Sequence, residues 1–315
     1  MDSSELQKLA ERTRSMREAG FALLFASGIL ALFLFLPNIS TKPAPAPVAI
    51  ATSTAPDAFA NIPLEAKAAV VYDTVTGKIL YAKNADAQLP LASLTKLLTV
   101  YAAFAELSPD TPITIPADAT HLDAPHAFRA GEVFTLAELT RLTLTASLND
   151  GATAIAEATA ARENQTTNGA LASAAAALDL SQTYALNGSG LDVSATISGG
   201  YGSARNLAKL AGALAAEAPT IVAATTHSTT EGVSLAGTHF SVKNTDPMVD
   251  TIPRLLLSKT GYTDLAGGNL ALVFDVGIRH PIAIVVLGST EKSRFTDGTT
   301  LVAATLAHFA GVSSL

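Results

Sequence analysis

Leu89-Pro90-Leu91-Ala92-Ser93-Leu94-Thr95-Lys96-Leu97-Leu98-Thr99-Val100-Tyr101-Ala102-Ala103 organises the rest of the chain. A proline, a small residue and a serine precede good helix formers, and Leu94, Leu97, Leu98 and Tyr101 form an apolar stripe at i, i+3, i+4 and i+7. Residues three apart share a helix face, so the Lys96 amine reaches the Ser93 hydroxyl. Burial among leucines and alanines lowers a lysine pKa and leaves part of the amine neutral, as a base must be. An alcohol beside such a base is an activated nucleophile. Taken alone, the same four residues also describe a capping serine and a solvated lysine. Ser289-Thr290-Glu291-Lys292 repeats the spacing with nothing else to mark it, so the company of Ser93 has to decide.

Working outward, residues 1–60 hold five basic and five acidic side chains, which leaves 15 Lys+Arg against 22 Asp+Glu for the remainder. An acidic domain without basic runs argues against nucleic acid as a partner. The chain has no cysteine, which rules out a thiol nucleophile and a disulfide framework.

Upstream, residues 1–19 carry Lys8, Arg12, Arg14 and Arg17, and an uncharged run from Gly20 to Leu36 ends at Pro37. As a helix that run is about 26 Å long, enough to span a hydrocarbon core of about 30 Å. The preceding bases put the amino terminus in the cytoplasm. A cleaved signal peptide has a shorter core followed at once by small residues, whereas Pro37-Asn38-Ile39-Ser40 follows here; an uncleaved anchor is expected. Residues 38–60, rich in Pro, Ala, Ser and Thr, read as an extended spacer. The expected organisation is therefore a cytoplasmic segment 1–19, a membrane anchor 20–37, a spacer 38–60 and a domain 61–315 outside the membrane.

Downstream, Ala68–Asp73 and Lys78–Ala82 read as a hairpin across Gly77. Thr135-Leu136-Ala137-Glu138 is a capping box opening a helix, alanine-rich helices fill 151–162 and 169–179, and Ser203–Glu217 is another helix. Asn269–Val276 and Ile282–Leu287 suit adjacent buried strands, and Thr299–Phe309 closes the chain as a helix. Strands at both ends with helices between predict an α/β domain: one sheet assembled from the two termini, with a helical insert.

Two further motifs accompany Ser93. Ser147-Leu148-Asn149 follows the capped helix and is the only SxN in the chain. A hydroxyl there can relay a proton to a leaving amine, and a carboxamide can hold a lysine and a substrate carbonyl. Lys259-Thr260-Gly261 is the only Lys-Thr-Gly, with a glycine that permits close backbone approach beside groups suited to a carboxylate. SxxK, SxN and KTG in that order are the set known from penicillin-binding proteins and class A β-lactamases. The chain resembles the D-alanyl-D-alanine carboxypeptidases, the low-molecular-mass penicillin-binding proteins, over roughly residues 62–310. Arg129-Ala130-Gly131-Glu132, Gly190-Leu191-Asp192, Ser203–Leu207, Tyr262–Gly267 and Arg294-Phe295 extend the likeness.

The resemblance implies the penicillin-binding-protein/β-lactamase-like fold: an antiparallel sheet flanked by helices, with a helical subdomain. It implies that Ser93 attacks the peptide bond between two D-alanines of a peptidoglycan stem peptide while Lys96 takes its proton. Ser147 then passes a proton to the departing D-alanine, and Asn149 orients Lys96 and the substrate. Lys259 adds positive potential, Thr260 with Gly261 meets the terminal carboxylate, and Arg294 stands near it. The N–H groups of Ser93 and Tyr262 form the oxyanion hole. No cofactor or metal is implied; His121 and His126 lack the H-E-x-x-H signature. β-Lactams are expected as inhibitors. Leu148 stands where many relatives have a small residue, which bears on the width of the cleft. A class A β-lactamase needs a glutamate some 35 residues beyond SxN, and none occurs between Glu163 and Glu217. A DD-endopeptidase uses the same apparatus and stays open, as does a non-catalytic wall-binding sensor, although no catalytic position is eroded.

Overall fold

Strands from both ends of the domain meet in one sheet, and that meeting creates the site. The structure, a computed structural model, describes residues 2–35 and 57–311. The first part is a single helix, α1 (Ser3–Phe35), which runs through the charged segment and into the apolar run. Within it Glu11–Leu32 is long and apolar enough to cross a membrane. The spacer falls at 38–56 outside the described residues. Residues 57–60, assigned to it by composition, form a turn in which Ala58 and Phe59 are buried.

The remaining residues form a second unit. It begins with the hairpin β1 (Ala68–Asp73) and β2 (Ile79–Lys83). Helices α2 (Thr95–Glu106), α3 (Leu136–Ala146), α4 (Asn149–Glu163), α5 (Thr167–Ala177) and α6 (Ala204–Glu217) follow. A small hairpin, β3 (Thr229–Val233) and β4 (His239–Lys243), precedes three long strands, β5 (Leu255–Thr263), β6 (Gly267–Asp275) and β7 (Pro281–Ser289). Helix α7 (Ser293–Ala310) closes the chain and starts earlier than periodicity suggested, because the Thr290 hydroxyl accepts from the Ser293 N–H at 2.9 Å.

The sheet order is β5-β6-β7-β1-β2, antiparallel throughout. Its central strands are apolar on both faces because both are covered. Val70, Leu257, Ala271, Val273, Ala283 and Val285 face Leu97, Leu207 and Leu210 of α2 and α6. Their neighbours Val71, Leu270, Leu272, Phe274, Ile284 and Val286 face Leu301 and Val302 of α7. This is the two-residue period of a strand, with each buried aliphatic side chain contributing about 2 kcal/mol. The helical insert has its own core of Leu136, Leu139, Leu142, Ile155 and the ring cluster Phe128, Phe134 and Phe240. The Thr135 hydroxyl caps α3 by accepting from the Glu138 N–H at 3.2 Å, while the Glu138 carboxylate takes Arg141 at 2.6 Å. The α2 helix packs in the first of these cores and, through Ala103, against the core of the insert, with Ser93 just before it.

Candidate active site

Ser93 sits in a 3-10 turn, Ala92–Leu94, immediately before α2, with Ala92 at φ 48°. Its Oγ accepts from Lys96 Nζ at 2.9 Å. Helical spacing delivers the contact, but distant segments make the amine a base. Lys96 is fully buried and also donates to Asn149 Oδ1 at 2.7 Å and to the Ser189 carbonyl at 2.8 Å. Burial brings its pKa from 10.5 to about 7, against the opposing pull of the Asp150 carboxylate. The two oxygens have no proton to give, so they claim two N–H bonds. The third direction, toward Ser93, is then an N–H when the amine is charged and a lone pair when it is neutral. Deprotonation of Lys96 therefore reverses the bond to Ser93 and leaves an acceptor for the serine proton.

Asn149 and Ser147 flank the junction of α3 and α4. Ser147 ends α3 in the left-handed conformation at φ 60°. The Asn149 side chain is pinned at its other end, where Nδ2 donates to the Asp123 carbonyl at 2.8 Å. Leu148 between them is buried in the core of the helical insert, so the larger residue at this position fills that core. Asp150 accepts from the N–H groups of Ala127, Phe128 and Gly151 and is completely buried, which places a fixed negative charge behind Lys96.

Strand β5 supplies the opposite wall. Lys259 is 1% exposed and donates to Ser147 Oγ and to the Thr260 carbonyl, both at 2.8 Å. Burial, then the positive charges of Lys96 and Arg294, hold its amine well below the usual lysine value, with Asp246 acting the other way. Gly261 lets the strand lie against the nucleophile's turn: a Cβ there would stand 2.9 Å from the Leu91 carbonyl oxygen and 3.2 Å from the Ser93 nitrogen. Tyr262, next along, is half-exposed. Thr260 Oγ1 lies 2.6 Å from Thr245 Oγ1.

Arg294 is only 8% exposed, although a helix-start arginine is ordinarily solvated. Its Nη1 donates to the Gly261 carbonyl at 2.7 Å, and its buried Nε has no hydrogen-bond partner among the described residues. A cavity of ≈ 640 Å³ beyond Thr260 is lined by Lys243, Thr245, Asp246, Glu291, Arg294 and Phe295. The sequence-derived residues thus come together, Ser93, Lys96, Asn149 and Ser147 on one side and Lys259, Thr260, Gly261 and Arg294 on the other. The second SxxK does not: Ser289 Oγ bonds Asp297 at 2.7 Å.

Four contributors escaped the motif reading. The Ser189 backbone carbonyl has no residue signature, although its neighbour Gly190 does. Gly190 sits at φ 78°, and a Cβ there would lie 2.0 Å from the Ala92 carbonyl oxygen, so only glycine lets this loop reach Lys96. Thr245, Asp246 and Asp150 act through partners that only folding supplies.

A serine whose proton acceptor is a buried lysine, faced by a second buried lysine, defines a serine hydrolase of the acyl-enzyme type. Comparison narrows the class. The family model for D-alanyl-D-alanine carboxypeptidase matches residues 51–291, and the chain belongs to that family. It is 30% identical over 278 residues to the D-alanyl-D-alanine carboxypeptidase DacD of Salmonella typhimurium, covering 84% of this chain and 67% of that one. It is 28% identical over 264 residues to a D-alanyl-D-alanine endopeptidase of Pseudomonas aeruginosa, covering 80% and 82%. The chain spans 59% of the length of another relative, the carboxypeptidase DacF of Bacillus subtilis. Among solved structures, penicillin-binding protein D2 of Listeria monocytogenes in its ampicillin-bound form superposes with a TM-score of 0.66 at 26% identity, covering 78% of this chain and 98% of that one.

Proposed function

We propose that this chain removes the terminal D-alanine from peptidoglycan stem peptides through an acyl-enzyme on Ser93, and that β-lactams acylate the same serine. The observation that carries the reading is Lys96 Nζ, buried and shared among Ser93, Asn149 and the Ser189 carbonyl. The neutral amine takes the Ser93 proton as Oγ attacks the carbonyl between the two D-alanines. The developing oxyanion is held by the N–H groups of Ser93 and Tyr262; removing one such donor costs about 3 kcal/mol of barrier. The C–N bond breaks, and the departing nitrogen takes a proton from Ser147, hydrogen-bonded to Lys259. Ser147 recovers one from Lys96, so the proton taken from Ser93 leaves with the amine and Lys96 is again neutral to accept a proton from water. Water then cleaves the ester and frees Ser93. The free carboxylate of the substrate binds at Thr260 under the positive potential of Arg294, and its negative charge opposes the burial that holds Lys259 below the usual lysine value. With a β-lactam the nitrogen stays tethered after ring opening, so nothing leaves and the ester persists.

The apolar run of α1, with four basic residues before it, supports a single-pass anchor with its amino terminus inside and the catalytic domain outside the cytoplasm. A second reading, cleavage of peptide cross-links, is favoured by the match to 82% of the length of the Pseudomonas endopeptidase.

Labelling with fluorescent penicillin, parent against Ser93→Ala, followed by D-alanine release from a pentapeptide, tests the proposal. Label and release both disappear in Ser93→Ala. Release undiminished in that variant refutes the assignment. Labelling with no release from the pentapeptide, but cleavage of cross-linked dimers, establishes the second reading; labelling with neither leaves a sensor.

A further inference from the structure

The end of the sheet farthest from Ser93 carries hydrophobic surface and backbone strain that nothing inside the domain offsets. The turn 276–280 joins β6 to β7, and at its tip Ile278 is fully exposed, at φ 47°, followed by Arg279 at φ 58°. The Val276 N–H donates to the His280 carbonyl at 3.1 Å, closing a three-residue loop in which a β-branched residue in the left-handed region is disfavoured sterically. Antiparallel pairing of Asp73 with Ile282 and of Asp275 with Pro281 sets this turn beside the β1–β2 turn. That neighbouring turn exposes Val75 at 60%. Phe309, exposed at the end of α7, lies edge-on to His280 at 5.2 Å.

The charges around this apolar tip are positive. Lys78, Arg254 and Arg279 are exposed. The two carboxylates of the turns are occupied: Asp73 accepts from the N–H groups of Val75 and Thr76 and lies 2.9 Å from His280, and Asp275 accepts from those of Gly277 and His280. Three exposed cations thus surround this apolar tip against the carboxylates of Asp73 and Asp275, on a domain whose overall balance is acidic. The chain also enters here, since the Phe59 ring meets His308 at 5.5 Å and His308 meets Phe309 at 5.3 Å. The first described residues of the domain, from Asp57, therefore lie at this end.

We propose that this end of the domain rests in the headgroup layer of the membrane that α1 crosses, with Ile278 inserted and Arg254 and Arg279 on anionic lipid phosphates. The inference rests on the reading of α1 as an anchor. Insertion by about 5–10 Å gives the exposed isoleucine the apolar surroundings that the domain itself does not supply. It also orients the enzyme. From Asp275 back to Asn269, which pairs with Gly261 beside Ser93, β6 rises about 20 Å. The cleft is then held above the lipid and faces outward, toward a polymeric substrate.

The natural chain has no tryptophan, so Ile278→Trp introduces a single reporter into the full-length protein. It is reconstituted in vesicles of phosphatidylglycerol and phosphatidylcholine with brominated acyl chains. Penicillin labelling verifies that the variant is folded. The expected result is blue-shifted emission quenched about two-fold by the bromines, with quenching reduced in purely zwitterionic vesicles. Val193→Trp, exposed in a loop away from this end, stays unquenched. Unquenched, water-like emission from Trp at 278 in protein that floats with the vesicles overturns the inference and leaves the anchor standing. Protein that does not float overturns both.

Discussion

Acylation of Ser93 should follow pH with a midpoint near 7, the value at which burial leaves Lys96 half neutral. The difference from 10.5 corresponds to about 5 kcal/mol favouring the neutral amine. At pH 7 an unburied lysine would be neutral in roughly one molecule in 3,000, so burial raises the supply of base more than a thousandfold. The neutral fraction is about one in eleven at pH 6 and about ten in eleven at pH 8, so the acylation rate constant should rise about ten-fold between them. Above pH 8 it should be nearly flat. The assay is the second-order rate constant for labelling by a fluorescent penicillin, whose own carboxylate is ionised throughout. A rise of about a hundred-fold between pH 6 and 8, continuing to pH 10, is the signature of a solvated lysine and would refute this account of Lys96. A profile with no limb between 6 and 8 would remove Lys96 as the base.

The same burial makes folding pH-dependent. Lys96 binds more protons unfolded than folded between about 7 and 10.5, so its contribution to stability rises with pH through that window; it opposes folding most below pH 7. Measured against Lys96→Met by urea unfolding in micelles, the parent should gain about 2 kcal/mol between pH 7 and 9, and a pH-independent difference would contradict this. Gly261→Ala pushes a Cβ against the Leu91 carbonyl and the Ser93 turn, and should slow acylation about 100-fold with little change in the unfolding midpoint; a rate near that of the parent would mean the strand can shift freely. Thr245→Val removes the partner of the Thr260 hydroxyl and should raise KM for a peptide ending in D-Ala-D-Ala about five-fold, an effect of about 1 kcal/mol, with kcat nearly unchanged. A fall in kcat alone would argue against a carboxylate-binding role for Thr260.

Much of this protein was legible in its residues because the governing interactions are local or periodic. The three-residue spacing of Ser93 and Lys96, the cap on Thr135, the apolar runs of β6 and β7 and the apolar half of α1 all follow from the geometry of a single element. The α/β sheet built from both termini followed from where those elements fall in order, and the SxN and KTG motifs marked which turns and strands to bring together. What the residues left open was environment. Whether Lys96 is a base depends on burial by a helix 53 positions later and a loop carbonyl 93 positions later. A backbone carbonyl leaves no trace in residue identity. The resemblance named Arg294, but its burial follows only from β5 and β6 closing over it, and Leu148, which bore on the width of the cleft, turns out to fill the core of the insert. Sequence specifies local geometry and the kinds of chemistry available; charge state, the direction of a hydrogen bond and the face a turn presents depend on the low-dielectric surroundings that only tertiary packing creates.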